Sequence, residues 1–454
     1  MNRLNRKLLL ISANNFAVPY PVYPLGISYL VTYLTPRLPN YQIRIFDIIN
    51  SSLEDLEQML KEFQPDYTGI SLRNIDNVDS MNSEFFISHY QSIIDKIRST
   101  IQTTLIIGGS GYSIYPDLLF DAFNPEFGIH GEGEESLLKL LTALDQGNDY
   151  SDIEGLVYSK NGSTKVNPRA VFLRDLELEL NDDLISYYWQ TSGMLNIQTK
   201  RGCPYKCIYC TYPLIEGRKV RTLNTEKIVS SLKRLSEDKG IDYFFFTDSV
   251  FNLDDKYNEQ LANEIIEAGL KIRWGAYFAP RKLTHEMLSL LKKSGLTHIE
   301  FGTETLCDEM LKNYGKSFKM KDVFEVSELC NELDIDFAHF LILGGYGETN
   351  ETLKLSFENS KLIKRTVYFP FVGMRIYPGT PLREIAVREG VISADDQLVE
   401  PKYYISDKFD PSILKNLAKE SGKRWVFPDE DLTEVMMKMR NKNKKGPLWE
   451  YLVK

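Results

Sequence analysis

The sequence predicts an α/β protein: a doubly wound, Rossmann-like domain, then a partial (β/α)6 barrel, then a helical C-terminal segment. Three observations carry this. Short apolar runs alternate with amphipathic stretches over the first 160 residues, the pattern of parallel strands joined by crossover helices. A polar stretch rich in Glu and Asp breaks that pattern over 174–183. From residue 195 a second alternation begins and gives six further strand–helix pairs. At 454 residues and 43% hydrophobic content, the chain can fill two or three domains with substantial cores. The divisions read as 1–160, a linker and hairpin over 161–190, the barrel over 191–383, and the C-terminal segment over 384–454.

In the first domain the strands are expected at 7–12, 42–48, 67–72, 104–108, 127–130 and 153–159, with helices near 26–38, 52–63, 82–99, 116–123 and 134–144. Doubly wound sheets bind ligands outside the carboxyl ends of their strands. The residues placed there are Ser12-Ala13-Asn14, Asp47, Ser71-Leu72-Arg73-Asn74 and Gly108-Gly109-Ser110-Gly111. Gly108 and Gly109 remove side chains where a ligand can approach the backbone. Asn161-Gly162 marks a tight turn.

In the barrel the strands are expected at 195–199, 243–247, 271–277, 298–301, 337–343 and 367–376, with helices near 225–237, 255–268, 285–294, 320–333 and 350–361. Barrels of this kind carry their chemistry on loops at the carboxyl ends of the strands. Polar residues gather there: Asp248, Ser249 and Asn252, then Tyr277, then Gly302-Thr303-Glu304-Thr305, then Gly344 through Thr349, then Arg375, Tyr377 and Pro378-Gly379-Thr380-Pro381. Glu304 reads either as an acceptor for an ammonium or hydroxyl, or as an acid at a helix N-terminus. The glycines at 344, 345 and 347 read either as a close approach to a ligand or as a turn. His339, inside a strand, reads as a core histidine. Arg218 and Arg221 read as anion-binding or as paired with surface acids. Tyr277, Phe278, Phe340 and Phe371 suit a hydrophobic substrate and core packing equally. The Lys/Asn-rich end of the chain reads as solvated surface.

The strongest chemical signal is the run Arg201-Gly202-Cys203-Pro204-Tyr205-Lys206-Cys207-Ile208-Tyr209-Cys210, with three cysteines spaced C-x3-C-x2-C and no fourth nearby. Structural zinc takes four closed ligands, and electron-transfer clusters take four thiolates. Three close thiolates can hold three irons of a 4Fe-4S cube and leave the fourth iron open. The competing reading is a zinc site completed by a distant ligand. Cys307 and Cys330 lie in helical patterns and read as buried, inert thiols.

The spacing, the Gly-Cys-Pro entry and Tyr209 before the last cysteine resemble the radical S-adenosylmethionine (SAM) superfamily. The resemblance implies that Cys203, Cys207 and Cys210 bind a 4Fe-4S cluster whose open iron chelates SAM. It further implies that Gly302 and Glu304 form a ribose-contacting segment, and that the stretch from Gly344 is the glycine-rich segment after the fifth strand. The strand-end residues Asp248, Ser249, Tyr277 and Arg375 are expected to contact the cofactors from their place in the barrel. Residues 1–160, with Tyr23-Pro24-Leu25-Gly26, Ser71-Leu72 and Gly131-Glu132-Gly133-Glu134, resemble the cobalamin-binding domain that precedes many of these enzymes. That makes Ser71, Leu72, Arg73, Asn74, Gly108 and Gly109 expected cobalamin contacts. The histidines are His89, His130, His285, His298 and His339, and none lies in the Asp-x-His-x-x-Gly motif that ligates cobalt from below. Cobalamin is therefore expected base-off, with Arg73 or Asn74 near its lower face, unless Arg73 pairs with Asp76 or Asp79.

The activity implied is a cobalamin-dependent radical SAM methylation of an unactivated carbon on a small-molecule or lipid-like substrate. One SAM would methylate cobalt and a second would give the 5′-deoxyadenosyl radical. An external flavodoxin- or ferredoxin-like donor would supply electrons. Ring formation or oxidative rearrangement without methyl transfer uses the same features. A cobalamin or iron–sulfur sensor would need no Glu304 or SAM site. A tRNA methylthiotransferase often carries extra cysteines in its first domain, and residues 1–202 have none. A net charge of −9 with interspersed signs gives no basic face for nucleic acid. No stretch is long and apolar enough for a signal peptide or a membrane span. A cytoplasmic, reducing setting is expected.

Overall fold

The computed structural model describes residues 5–169, 172–173, 180–281, 283–430, 433–442 and 444–453. The centre of the expected linker, 174–179, and the start of the basic N-terminus lie outside them. The chain forms two units, Met1–Asn77 with Glu84–Tyr187 and Leu214–Glu216, and Val78–Ser83 with Tyr188–Pro213 and Gly217–Lys454.

In the first unit the elements run β1 (Arg6–Ser12), α1 (Leu25–Leu34), β2 (Tyr41–Asp47), α2 (Leu53–Phe63), β3 (Tyr67–Ser71), α3 (Ile87–Thr100), β4 (Thr104–Gly108), α4 (Pro116–Phe123), β5 (Phe127–Ile129), α5 (Glu134–Gln146), β6 (Leu156–Lys160) and β7 (Ser163–Val166). The sheet order is β2-β1-β3-β4-β5-β6-β7. Strands β1 to β5 are parallel. Leu8, Leu9, Leu10 and Ile11 are all buried, the continuous apolar run of a strand covered on both faces. Helix α2 begins with a capping box between Ser52 and Asp55.

One expectation is corrected. The sequence places 153–159 among the strands of the parallel alternation, but β6 pairs antiparallel with β5. The expected hairpin at Asn161-Gly162 is present, with β7 antiparallel to β6. The chain reverses at Asn161 and Gly162, both with positive φ (53° and 74°), and a two-residue turn of this kind can join only antiparallel neighbours.

The second unit continues from α6 (Asp182–Ser192), with β8 (Leu195–Ile197), β9 (Lys200–Arg201), α7 (Tyr212–Ile215), β10 (Arg221–Thr222), α8 (Thr225–Lys239), β11 (Tyr243–Phe246), α9 (Asp255–Glu267), β12 (Arg273–Phe278), α10 (His285–Lys293), β13 (Leu296–Glu304), α11 (Asp308–Asn313), α12 (Met320–Glu332), β14 (Asp336–Leu343), α13 (Asn350–Leu362), β15 (Thr366–Val372), β16 (Met374–Arg375), α14 (Pro381–Arg388), β17 (Tyr403–Tyr404), α15 (Leu414–Ser421), β18 (Arg424–Trp425) and α16 (Thr433–Asn441); α6 and α7 each straddle the division. Seven parallel strands stand in the order β18-β15-β14-β13-β12-β11-β8. Side chains alternate between two layers. Trp274, His339 and Tyr368 turn toward the helices, where they bond Ser294 O, Ser327 Oγ and Ser360 O. Phe245, Tyr277, His298, Phe340 and Phe369 turn to the inner face.

The expectation of a purely helical C-terminal segment is also corrected, while the Lys/Asn run itself is exposed at Asn441, Lys442 and Lys444, as expected. Besides helices it supplies β18, which extends the barrel sheet, and β17, which pairs with β16. Its last turn closes the amino-terminal end of the barrel. Trp449 Nε1 donates to Glu300 Oε1 at 3.0 Å, and Glu450 Oε1 lies 3.0 Å from His298 Nδ1 and accepts from the Tyr243 hydroxyl. Trp449, Leu452 and Val453 pack on Ala338 and Val367. The apolar residues Trp449, Leu452 and Val453 that follow the Lys/Asn run make this end a plug. No helix among the described residues is long and apolar enough to cross a membrane.

Candidate functional site

The cysteine loop leaves the carboxyl end of β8 and is fixed before the first cysteine is reached. Asp248, after β11, accepts from the amides of Thr199 and Lys200 at 2.6 and 2.9 Å and from the Thr199 hydroxyl. Its carboxylate also pairs with the Lys200 ammonium at 3.1 Å, with both side chains 1% exposed. Lys200 bonds Asn258 Oδ1 and lies 4.1 Å from the Phe251 ring centroid. Burial pulls its ammonium below the usual range against the opposing charge of Asp248. Asp248 was expected to contact a cofactor. Its oxygens are instead committed to the base of the loop, so it is a positioning residue. Ser249 Oγ reaches Gly202 O at 3.3 Å.

Gly202 has φ 90°, and a Cβ there would lie 2.2 Å from Lys219 O. Only glycine fits, which explains the Gly-Cys entry. Cys203 N then donates to Gly217 O, and Ile208 N to Tyr314 O. All five cysteines are free thiols, and Cys203 is buried while Cys207 and Cys210 are half-buried. Burial pushes the Cys210 thiol up to about 12, with the neighbouring Cys207 and Cys203 adding to it, so a metal must displace its proton on binding. Among the described residues no three His, Cys, Asp or Glu side chains converge on a single ion. Three thiols on one loop suit a cluster that takes one thiolate per iron.

Glu304 ends β13 beyond a bulge, in the left-handed region at φ 67°. It is thus a strand-end residue and not a helix-terminal acid. Its Oε1 accepts from Tyr209 Oη at 2.7 Å and from Lys316 Nζ at 3.0 Å. Burial acts to lower the Lys316 ammonium, but the Glu304 charge and the nearby thiols outweigh it and leave it raised. Tyr209, buried beside Glu304, is held well above the usual phenol range.

The remaining barrel candidates divide. Tyr277 is 40% exposed on the inner face, edge-on to Phe245. Gly344 and Gly345 are not open to a ligand: Cβ atoms there would meet the Phe409 ring at 2.7 Å and the Tyr314 hydroxyl at 2.4 Å. This stretch is a packed turn around Glu348, which is buried, accepts from Gly344 N and is pushed up to about 7 by burial. Arg375, also expected at a cofactor, is buried and donates to Ile376 O and Leu398 O, so it pins its own loop. Phe278 packs on Phe251 and Phe301 and belongs to the core. His339 is fully buried, 2.7 Å from Thr303 Oγ1, and burial takes its ring down to about 3. Arg218 donates to Tyr205 O rather than to an acid.

In the first unit the ends of β3 and β4 zip together. Leu72 N donates to Gly108 O, Gly111 N to Leu72 O, and Ser110 Oγ to Arg73 O. A Cβ on Gly109 (φ 105°) would lie 2.6 Å from Leu72 O, so its glycine serves this loop contact. Arg73 is exposed and makes no ion pair among the described residues, so pairing with Asp76 or Asp79 is not formed. Asn74 O accepts from Tyr90. Both histidines are engaged: His89 Nε2 with Ala13 O at 3.0 Å, and His130 Nε2 with Asn167 O at 2.8 Å.

Residues 197–358, from the end of β8 through most of α13, match the Radical SAM superfamily. The barrel is a radical SAM domain. Likeness to known proteins runs beyond it. An uncharacterized methyltransferase of Pyrococcus horikoshii is 23% identical over 86% of this chain and 86% of its own length. The tryptophan 2-C-methyltransferase of Streptomyces laurentii is 24% identical over 79% of this chain and 71% of its own. The solved radical SAM methyltransferase TsrM of Kitasatospora setae, with cobalamin and a [4Fe-4S] cluster bound, superposes with a TM-score of 0.87 at 21% identity, over 99% of this chain and 97% of TsrM. The fold of the whole chain is thus the fold of TsrM.

Two residues of the radical SAM domain escape sequence reasoning. Lys200 and Lys316 sit in charged, polar surroundings in the sequence, and only the fold buries them against Asp248 and Glu304. The one local signal is Lys200 beside the cysteine run.

Proposed function

We propose that the protein is a cobalamin-dependent radical SAM enzyme that methylates a carbon of a small molecule, with SAM as the methyl source. The observation that carries this is the three-thiol loop at the carboxyl end of a radical SAM barrel, in a chain whose likeness to methyltransferases extends over the doubly wound unit as well. When bound, the cluster supplies an electron and an open iron, and cobalamin a cobalt centre that can carry a methyl group. Cys203, Cys207 and Cys210 would hold three irons, and Glu304 would accept a hydrogen bond from SAM. The carboxyl edge from Ser71 to Asn74, with Gly108 and Gly109, would border cobalamin. With both histidines of that unit engaged, cobalamin would have no histidine beneath it, and the unpaired Arg73 would stand near its lower face.

The substrate would present an apolar or aromatic body, because Tyr277, Phe340, Phe369 and Phe371 are part-exposed around the inner face of the barrel. Lipid-like and aromatic small molecules both meet that description. A flavodoxin- or ferredoxin-like protein would deliver the electrons. The test is incubation with SAM bearing a trideuterated methyl group and candidate substrates. A product holding the intact labelled methyl on carbon supports the reading; a product with no added carbon points to ring formation or rearrangement instead.

A further inference from the structure

We propose that Lys316 is a positioning residue for Glu304: it holds one carboxylate oxygen and leaves the other to a hydroxyl or ammonium donor of a ligand beside the cysteine loop. The inference deepens the reading of this barrel as a SAM site and rests on it.

Glu304 needs such a holder. The bulge between Gly302 and Glu304 re-aims the end of β13, and the left-handed backbone at 304 is unfavourable for a residue with a Cβ. Both bonds to the carboxylate arrive on Oε1, from Tyr209 Oη at 2.7 Å and Lys316 Nζ at 3.0 Å. Oε2 receives neither. Lys316 is itself immobilised. Its ammonium has three donor hydrogens, and three acceptors stand around it: Glu304 Oε1, Tyr209 Oη at 3.0 Å and Gly302 O at 3.3 Å. The two side chains are only 7% and 15% exposed. The Lys316 ammonium thus fixes Oε1 in place and leaves Oε2 for a hydroxyl or ammonium donor of a ligand.

The same segment supports the cysteines. Tyr314 O accepts from Ile208 N at 3.2 Å, and Gly315 passes so close to Lys206 that a Cβ would lie 2.5 Å from its carbonyl oxygen. Tyr209, the second donor to Glu304, immediately precedes Cys210. One short turn thus braces the cysteine loop from below and reaches past it to orient the ligand-facing carboxylate.

The experiment compares wild type, Lys316→Met, Lys316→Gln, Glu304→Gln and the Lys316→Met/Glu304→Gln double variant, each reconstituted with iron and sulfide without oxygen. Iron content and the dissociation constant of SAM are measured for each. Iron content is expected to stay at the wild-type level throughout. SAM binding is expected to weaken roughly ten- to a hundredfold in either Lys316 variant and in Glu304→Gln, the loss of one hydrogen bond to a charged group. The double variant is expected to lose no more than the worse single one, because Lys316 acts through Glu304. Wild-type affinity in the Lys316 variants with a weakened Glu304→Gln, or losses that add in the double variant, overturns the inference alone. Wild-type affinity in Glu304→Gln overturns the SAM contact and the inference together. Loss of iron in both Lys316 variants but not in Glu304→Gln marks a purely structural lysine and also overturns it.

Discussion

Lys200 and Asp248 form an ion pair of 3.1 Å between side chains that are each 1% exposed. The pair lies under the point where β8 gives way to the cysteine loop, because Asp248 also accepts from the amides of Thr199 and Lys200. A buried pair of this kind is weak evidence of net stability, but breaking one half strands the other. Asp248→Ala is expected to cost about 3–5 kcal/mol and to lower iron incorporation. The double substitution Lys200→Met with Asp248→Asn leaves no buried charge and is expected to cost less than Asp248→Ala alone. Urea unfolding and iron content of the two variants check this.

Glu348 predicts a pH dependence of stability. Burial raises its carboxyl from 4.5 to about 7, so between those values the native state alone holds the proton. Stability contributed here is present below the unfolded value and falls as pH rises through the window, by about 3 kcal/mol at most. Glu348→Gln removes the effect. Its stability relative to wild type is expected to rise between pH 5 and pH 8, and a difference that does not change with pH would show that Glu348 is ionised in the native state.

The C-terminal plug predicts a penalty far from the chemistry. Trp449→Ala removes a buried indole and its bond to Glu300, and is expected to cost about 3–5 kcal/mol. Burial alone would raise the Glu450 carboxyl, but His298 and Tyr243 hold it below the usual range. Its contribution is therefore present above the ordinary carboxylate range and is lost as pH falls through the lowered folded value. Thermal unfolding of Trp449→Ala and Glu450→Gln at neutral and acid pH reads both effects.

The engaged state of His89 and His130 and the unpaired state of Arg73 predict the spectrum of bound cobalamin. Arginine stays protonated and is a poor cobalt ligand. The electron paramagnetic resonance spectrum of bound cob(II)alamin is expected to lack nitrogen superhyperfine splitting. Observing that splitting would place a nitrogen ligand under cobalt.

Much of this was legible in the sequence, for physical reasons. The six barrel strands are buried aromatic and aliphatic runs, and the cysteine spacing stands alone in the chain. Asn161-Gly162 announced its turn correctly, although periodicity could not tell that β6 runs antiparallel. What the sequence hid are pairings between distant residues. Asp248 and Arg375 sit at strand ends, where ligand contacts are expected, yet each is turned inward by a partner that sequence distance conceals. The glycines at 109, 344 and 345 read as room for a ligand, but the space is filled by protein. The plug was missed because a Lys/Asn-rich run precedes Trp449.

The central claim, that the three-cysteine loop holds one four-iron cluster with an open position, is tested most directly by iron and sulfide analysis with electron paramagnetic resonance on protein reconstituted without oxygen. Wild type, Cys307→Ala and Cys330→Ala are expected to hold about four irons and four sulfides per chain, the content of one cube. Their reduced spectrum is expected to change on adding SAM. Cys203→Ala, Cys207→Ala and Cys210→Ala are each expected to lose the cluster signal and its response to SAM. A Cys207→Ala protein that keeps the wild-type cluster and responds to SAM, or a wild type that binds a single zinc ion in place of iron, would contradict the account.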